Sequence, residues 1–156
     1  MFYIVGILIL IYGIGNRLLK QKRVGIIAAA LIAFSPMLIE HTTFIRPDIP
    51  LAFWSLVVLW YSINIYKKGD PIYYLYASIA AGLAVATKYP GIVTFASIIV
   101  AHATANHKTW RRRICAPELI ASAGVAVAIF FLATPHALGS PVQLFKDILY
   151  EGRARH

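Results

Sequence analysis

Short clusters of charge divide this chain into apolar runs of about 16–20 residues, and that spacing constrains the fold more than any other feature of the sequence. A helix rises about 1.5 Å per residue, so roughly 20 apolar residues cross a hydrocarbon layer about 30 Å thick. The runs lie at about 1–15, 24–39 (broken by Ser35-Pro36 near its end), 49–66, 72–87, 91–106 and 114–134. They predict an all-α fold, a polytopic transmembrane helix bundle of about six spans. Charged residues make up 13% of the chain and hydrophobic ones 60%, whereas soluble domains carry roughly 25% charged residues. A chain of 156 residues built this way has no room for a separate soluble domain.

The positions of the charges predict which way the helices run. Alternating loops place Arg17, Lys20, Lys22, Arg23, Lys67, Lys68, Lys108, Arg111, Arg112 and Arg113 on one side, ten of the 15 Lys and Arg residues. Positive charge marks the cytoplasmic side. Arg46, Lys88, Lys146, Arg153 and Arg155 then fall on the outer side, with Asp48 and His136. This bias accounts for most of the net charge of +9, so no nucleic-acid partner is expected. The single cysteine, Cys115, cannot form an intrachain disulfide and reads as a small packed hydrophobe. Met1 leads into apolar residues with neither a basic region nor a cleavage site after it, so the start is not a signal peptide. It reads as a chain that begins inside a helix.

Two regions are expected: a bundle over 1–134, and an outward segment over 135–156 that opens a larger loop. In the latter, Ser140, Pro141 and Gln143 have the form of a helix start. Leu138, Val142, Phe145 and Leu149 recur at helical spacing, which predicts a short amphipathic juxtamembrane helix lying along the outer interface or packed on the bundle.

Chemistry is most readily placed in the outer loops. Arg46 and Asp48 sit beside Pro47 and Pro50, where helix geometry is interrupted and side chains can face a cavity. They can equally pair with each other and cap the third helix, since a carboxylate suits a helix start. Glu40 and His41 carry metal-ligand chemistry, although adjacent interfacial polar residues need no metal. Lys88 stands beside Tyr89, Pro90 and Gly91, in a turn that requires proline and glycine but not lysine. It can snorkel to the headgroups or hold a phosphate as a point charge. Topology and anionic lipid explain Arg111, Arg112 and Arg113. His102, inside the fifth run, is expected to be a hydrogen-bonded helix residue.

Three stretches resemble the integral-membrane glycosyltransferases that use polyprenyl-phosphate sugars, among them protein O-mannosyltransferases and lipid A aminoarabinose transferases. The run from Phe34-Ser35-Pro36 to Arg46-Pro47-Asp48-Ile49-Pro50-Leu51 is similar to their outward loop between the third and fourth helices. Ala80 to Gly91, with Gly82-Leu83-Ala84 and Thr87-Lys88, resembles their Gly-Leu-Ala…Thr-Lys turn. Ala133-Thr134-Pro135-His136-Ala137-Leu138, followed by Phe145, resembles their lead into a juxtamembrane helix. The resemblance implies transfer of a sugar from a polyprenyl-phosphate donor to a glycan, lipid or protein acceptor at the outer face. It implies a multi-pass protein of a bacterial or archaeal cytoplasmic membrane. Lys88 would hold the donor phosphate with Arg46 as a second cation, Asp48 would serve catalysis, and His41, Tyr89 and His136 would contact donor or acceptor. A divalent metal is an open cofactor, with Glu40 and His41 as its candidate ligands.

The family's principal base lies in a first outward loop after the first helix, and the resemblance starts at the second helix. Asp48 matches the second outward acid, which assists the site. The expectation is therefore a piece of an enzyme, lacking the first helix, the first outward loop and the C-terminal part, and inactive alone. A transporter or flippase segment and a non-enzymatic membrane subunit are the competing classes. The upstream coding sequence separates them, because an added helix and an acid-bearing loop favour the enzyme. The topology has its own test, made with Cys115 replaced by serine. Gln21→Cys should react with an impermeant maleimide only after the cell is opened, and Thr43→Cys should react in intact cells. Labelling with the reverse sidedness would invert the reading.

Overall fold

The structure is a computed structural model that describes residues 2–36, 40, 46–105 and 117–135. Among these residues there is no strand, and the fold is the expected all-α bundle. Its helices are α1 (Phe2–Leu19), α2 (Lys22–Ala33), α3 (Asp48–Lys68), α4 (Pro71–Thr87), α5 (Phe95–Thr104) and α6 (Pro117–Ala133), with a 3-10 helix at Tyr89–Thr94 before α5. The expected amphipathic helix after 135, as well as Cys115, Arg111, Arg112 and Arg113, lies outside the described residues.

Helix α4 stands at the centre, packed on α3 on one side and α6 on the other. Its buried positions are mostly small: Ala77, Ser78, Ala80, Ala81, Gly82 and Ala84. In a lipid environment apolar surface gains little from leaving the solvent, so helices associate through close backbone packing, which small residues allow. A Cβ added at Gly82 would lie 2.6 Å from the Ala126 carbonyl oxygen and 2.8 Å from the Ile129 Cβ. Helix α1 packs on α3 by a different device. Gly6 and Gly13, seven residues apart, face Phe53 and Trp60, also seven apart.

Chain direction follows from these contacts. Tyr3 meets Phe53 edge to face at 5.4 Å, and the Arg17 guanidinium lies 4.7 Å from the Trp60 ring centroid. Helices α1 and α3 therefore run parallel. Lys67 Nζ donates to the Arg17 carbonyl at 2.7 Å, which gathers Arg17, Lys67 and Lys68 at one end of the bundle. Gly69, with φ 71°, closes α3 in the left-handed conformation that suits glycine, and Pro71 opens α4. The chain thus reverses within two residues, and the end of α4 returns beside the start of α3.

Two boundaries differ from expectation and one follows it. The first run was expected to end near 15, but α1 continues to Leu19, with Arg17 in its last turn. Lys22 and Arg23 open α2, so the basic cluster is mostly helical around a two-residue link. The second run was expected to break at Ser35-Pro36 near its end, and α2 stops just before that point, at Ala33, where Phe34 caps it two residues ahead of Pro36, which has no N–H to donate to a continuing helix. The fifth run begins as a 3-10 turn rather than as α-helix. Two described helices, α1 and α3, are long and apolar enough to cross a membrane; Pro71–Thr87, Tyr89–Thr104 and Pro117–Ala133 are shorter apolar segments.

The outer surface is apolar. Phe2, Leu31, Ile120 and Leu132 are all at least 70% exposed. Helix α1 has only 11% of its apolar window buried and α3 28%, whereas the core helix of a soluble protein would be mostly buried. Inside, His102 is buried and shares a 2.7 Å hydrogen bond between its Nδ1 and the Tyr74 hydroxyl, as expected of a bonded helix residue.

The tight α4–α6 seam makes a direct prediction. Gly82→Leu should destabilise the bundle by about 1–3 kcal/mol, the usual range for overpacking, read as a lower melting midpoint in detergent. Gly124→Leu is the control, because a Cβ there meets nothing within 4 Å. Equal effects at the two glycines would contradict the packing.

Candidate functional site

The end of α4 is built to hold one side chain in place. Thr87 closes the helix and Lys88 turns extended, at φ −159° and ψ 132°. The Lys88 amide still bonds the Ala84 carbonyl at 3.1 Å, and its own carbonyl accepts the Gly91 amide at 2.8 Å. Gly91 is packed so tightly on the last turn of α4 that an added Cβ would come within 2.5 Å of the Ala84 carbonyl. Only glycine lets the 3-10 helix fold back there, and Pro90 sets its first turn. The backbone of Lys88 is thus fixed on both sides.

Its side chain reaches across to α3. Lys88 Nζ lies 3.0 Å from Asp48 Oδ1, an ion pair that joins residues 40 apart in sequence. Helix dipoles favour this placement, since Asp48 is in the first turn of α3 and Lys88 follows the last turn of α4. The side chains remain 31% and 40% exposed for Lys88 and Asp48, so the pair is open to a ligand as well as to its partner.

Beside the pair is a cavity of about 220 Å³, lined by Pro47, Val85, Ala86, Thr87, Lys88, Tyr89 and Thr134. Pockets that enclose a drug-sized ligand run to about 300–1,000 Å³. This one therefore suits a charged head group better than a whole lipid-linked sugar. Thr87 Oγ1 donates to the Leu83 carbonyl at 2.8 Å and Thr134 Oγ1 to the Phe130 carbonyl at 2.6 Å. With those hydroxyl protons committed to their own helices, Lys88 is the charged donor among the described residues that line the cavity.

The expected site residues separate into groups. Asp48 and Lys88 are in contact, Tyr89 lines the cavity, and Arg46 is exposed two residues before Asp48. Glu40 is exposed. His41 and His136 lie outside the described residues. Among the described residues no three metal-ligating side chains cluster. The Pro135 turn joins the site through Thr134, which belonged to a motif but not to the expected site residues. Its position directly after an apolar helix and before a proline was the available signal. Asp48, Lys88, Tyr89 and Thr134 lie at the end of the bundle away from Arg17, Lys67 and Lys68.

A helical bundle clad in exposed apolar side chains, with an acid–cation pair at the mouth of a cavity at one end, defines a membrane protein with a polar terminal site. The family description for dolichyl-phosphate-mannose-protein mannosyltransferases matches residues 2–137, and the chain belongs to that family. No curated protein and no solved structure matches it.

Proposed function

We propose that this chain carries the donor end of a membrane glycosyltransferase that moves a sugar from a polyprenyl-phosphate donor to an acceptor at the outer face of the membrane. The observation that carries the reading is the Asp48–Lys88 pair, 3.0 Å apart at a cavity mouth and remote from the basic rim. The family match supports a lipid-linked sugar donor. The positive-inside rule favours the cytoplasm for the Arg17, Lys67 and Lys68 end, which supports an outer-headgroup position for the pair in a multi-pass chain.

The chemistry asks little more of this end. The bond between the sugar's anomeric carbon and the phosphate oxygen breaks, and a bond from that carbon to an acceptor oxygen forms. Negative charge grows on the leaving phosphate, and a fixed ammonium lowers the energy of that charge most where water is scarce. Lys88 takes this role, with Arg46 as a second cation near the phosphate. The acceptor hydroxyl gives its proton to a base, and Asp48 helps to orient that hydroxyl. Tyr89 lines the same cavity and lies next to the phosphate position.

The test is made in membranes that express the complete reading frame around this chain. Lys88→Ala should lower transfer from a polyprenyl-phosphate sugar by at least about a hundredfold, the scale of removing one charge-stabilising group from a transition state. Unchanged turnover would remove Lys88 from the mechanism.

A further inference from the structure

The cation proposed to hold the donor phosphate is engaged by a carboxylate of the protein itself. Lys88 Nζ bonds Asp48 Oδ1 at 3.0 Å, in a pair that is only partly exposed. An ammonium has three protons but one location, and a carboxylate and a phosphate compete for the same place on it. The neighbouring threonine hydroxyls donate to their own helices, so they do not relieve that competition. The Lys88 backbone is pinned by the Ala84 and Gly91 hydrogen bonds, whereas its side chain is a flexible four-carbon stem. Moving the ammonium from the carboxylate to an anion in the adjoining cavity therefore takes side-chain rotation and leaves the helices in place.

We infer that Asp48 is a placeholder for the donor phosphate, which must displace it from Lys88 on binding. This rests on the reading of Lys88 as the donor-phosphate ligand. Two consequences follow. Asp48 weakens donor binding by the free energy of the pair. The exchange also frees the Asp48 oxygen that the lysine holds, which favours an acceptor hydroxyl after the donor. Asp48 then does two jobs with one carboxylate, guarding the cation before the donor arrives and receiving the acceptor afterwards.

Equilibrium binding of a sugar-free polyprenyl phosphate reads the exchange without turnover. The protein is held in phosphatidylcholine nanodiscs and the change in tryptophan emission is titrated. Partly exposed ion pairs contribute up to about 1 kcal/mol, so Asp48→Asn should bind the polyprenyl phosphate about three- to fivefold more tightly than the unaltered protein. Asp48→Glu, which keeps the competing charge, should stay within about twofold of it. Lys88→Met should weaken binding, and adding Asp48→Asn to Lys88→Met should tighten it by clearly less than Asp48→Asn does alone, because only the direct repulsion between carboxylate and phosphate is then relieved. Asp48→Asn binding equally or less tightly, or the same tightening with and without Lys88, would overturn the exchange while leaving Lys88 as the phosphate ligand. Lys88→Met with undiminished affinity would instead overturn the donor-site reading itself. Phosphatidylglycerol serves as the second arm. Equal tightening toward it in Asp48→Asn would make Lys88 a general headgroup contact and would also refute the placeholder.

Discussion

The close packing of α3 on α4 is the constraint on which the site depends. The two helices run antiparallel because Gly69 reverses the chain within two residues. That reversal brings the positive end of one helix dipole beside the negative end of the other. An acid at the start of α3 and a lysine just past the end of α4 are each favoured by their own helix, and meet at 3.0 Å. Neither charge needs a rigid pocket. What fixes them is backbone: Asp48 opens α3, and Gly91 folds the 3-10 helix onto α4 behind Lys88.

The bilayer explains why so few polar groups carry so much of the interest. In lipid the exposed faces of α1, α2 and α6 are ordinary apolar surface, and the bundle coheres through small residues and a few hydrogen bonds inside it. The Tyr74–His102 and Ser62–Ser97 contacts are of this interior kind, at 2.7 and 3.2 Å. The two ends of the bundle differ in character. One end gathers Arg17, Lys67 and Lys68 around Trp60 and Tyr73, an arrangement of cations and amphipathic rings typical of a membrane interface. The other joins opposite charges beside a cavity. A charge pair with space beside it is suited to exchanging partners, while cations lying on aromatic rings are suited to staying put.

Much of this was legible in the sequence. Apolar run length gave the helices, because hydrocarbon thickness sets that length directly. The Lys and Arg distribution implied two ends, and the structure separates Asp48 and Lys88 from Arg17, Lys67 and Lys68 accordingly. Helix limits were less legible near charges. Arg17 continues α1, since a cation favours a helix C-terminus, and hydropathy alone would have ended the helix before it. At Ser35-Pro36 the expected break was legible, and the helix stops just ahead of it at Ala33. The pairing of Asp48 with Lys88 was the hardest part to read. Arg46, two residues away, looked an equally good partner from local sequence, and only the return of α4 beside α3 brings a cation from 40 residues on into contact. Thr134 was missed for a similar reason, as its approach to Lys88 depends on α6 packing on α4.

The central claim is a location: a lipid-borne phosphate meets this protein at the Asp48–Lys88 end. A polyprenyl phosphate carrying a photoreactive group beside its phosphate tests that location most directly, with the labelled peptides mapped by mass spectrometry. The account predicts adducts within 46–50 and 85–91. Adducts concentrated around Lys67, Lys68 and Gly69 would contradict it.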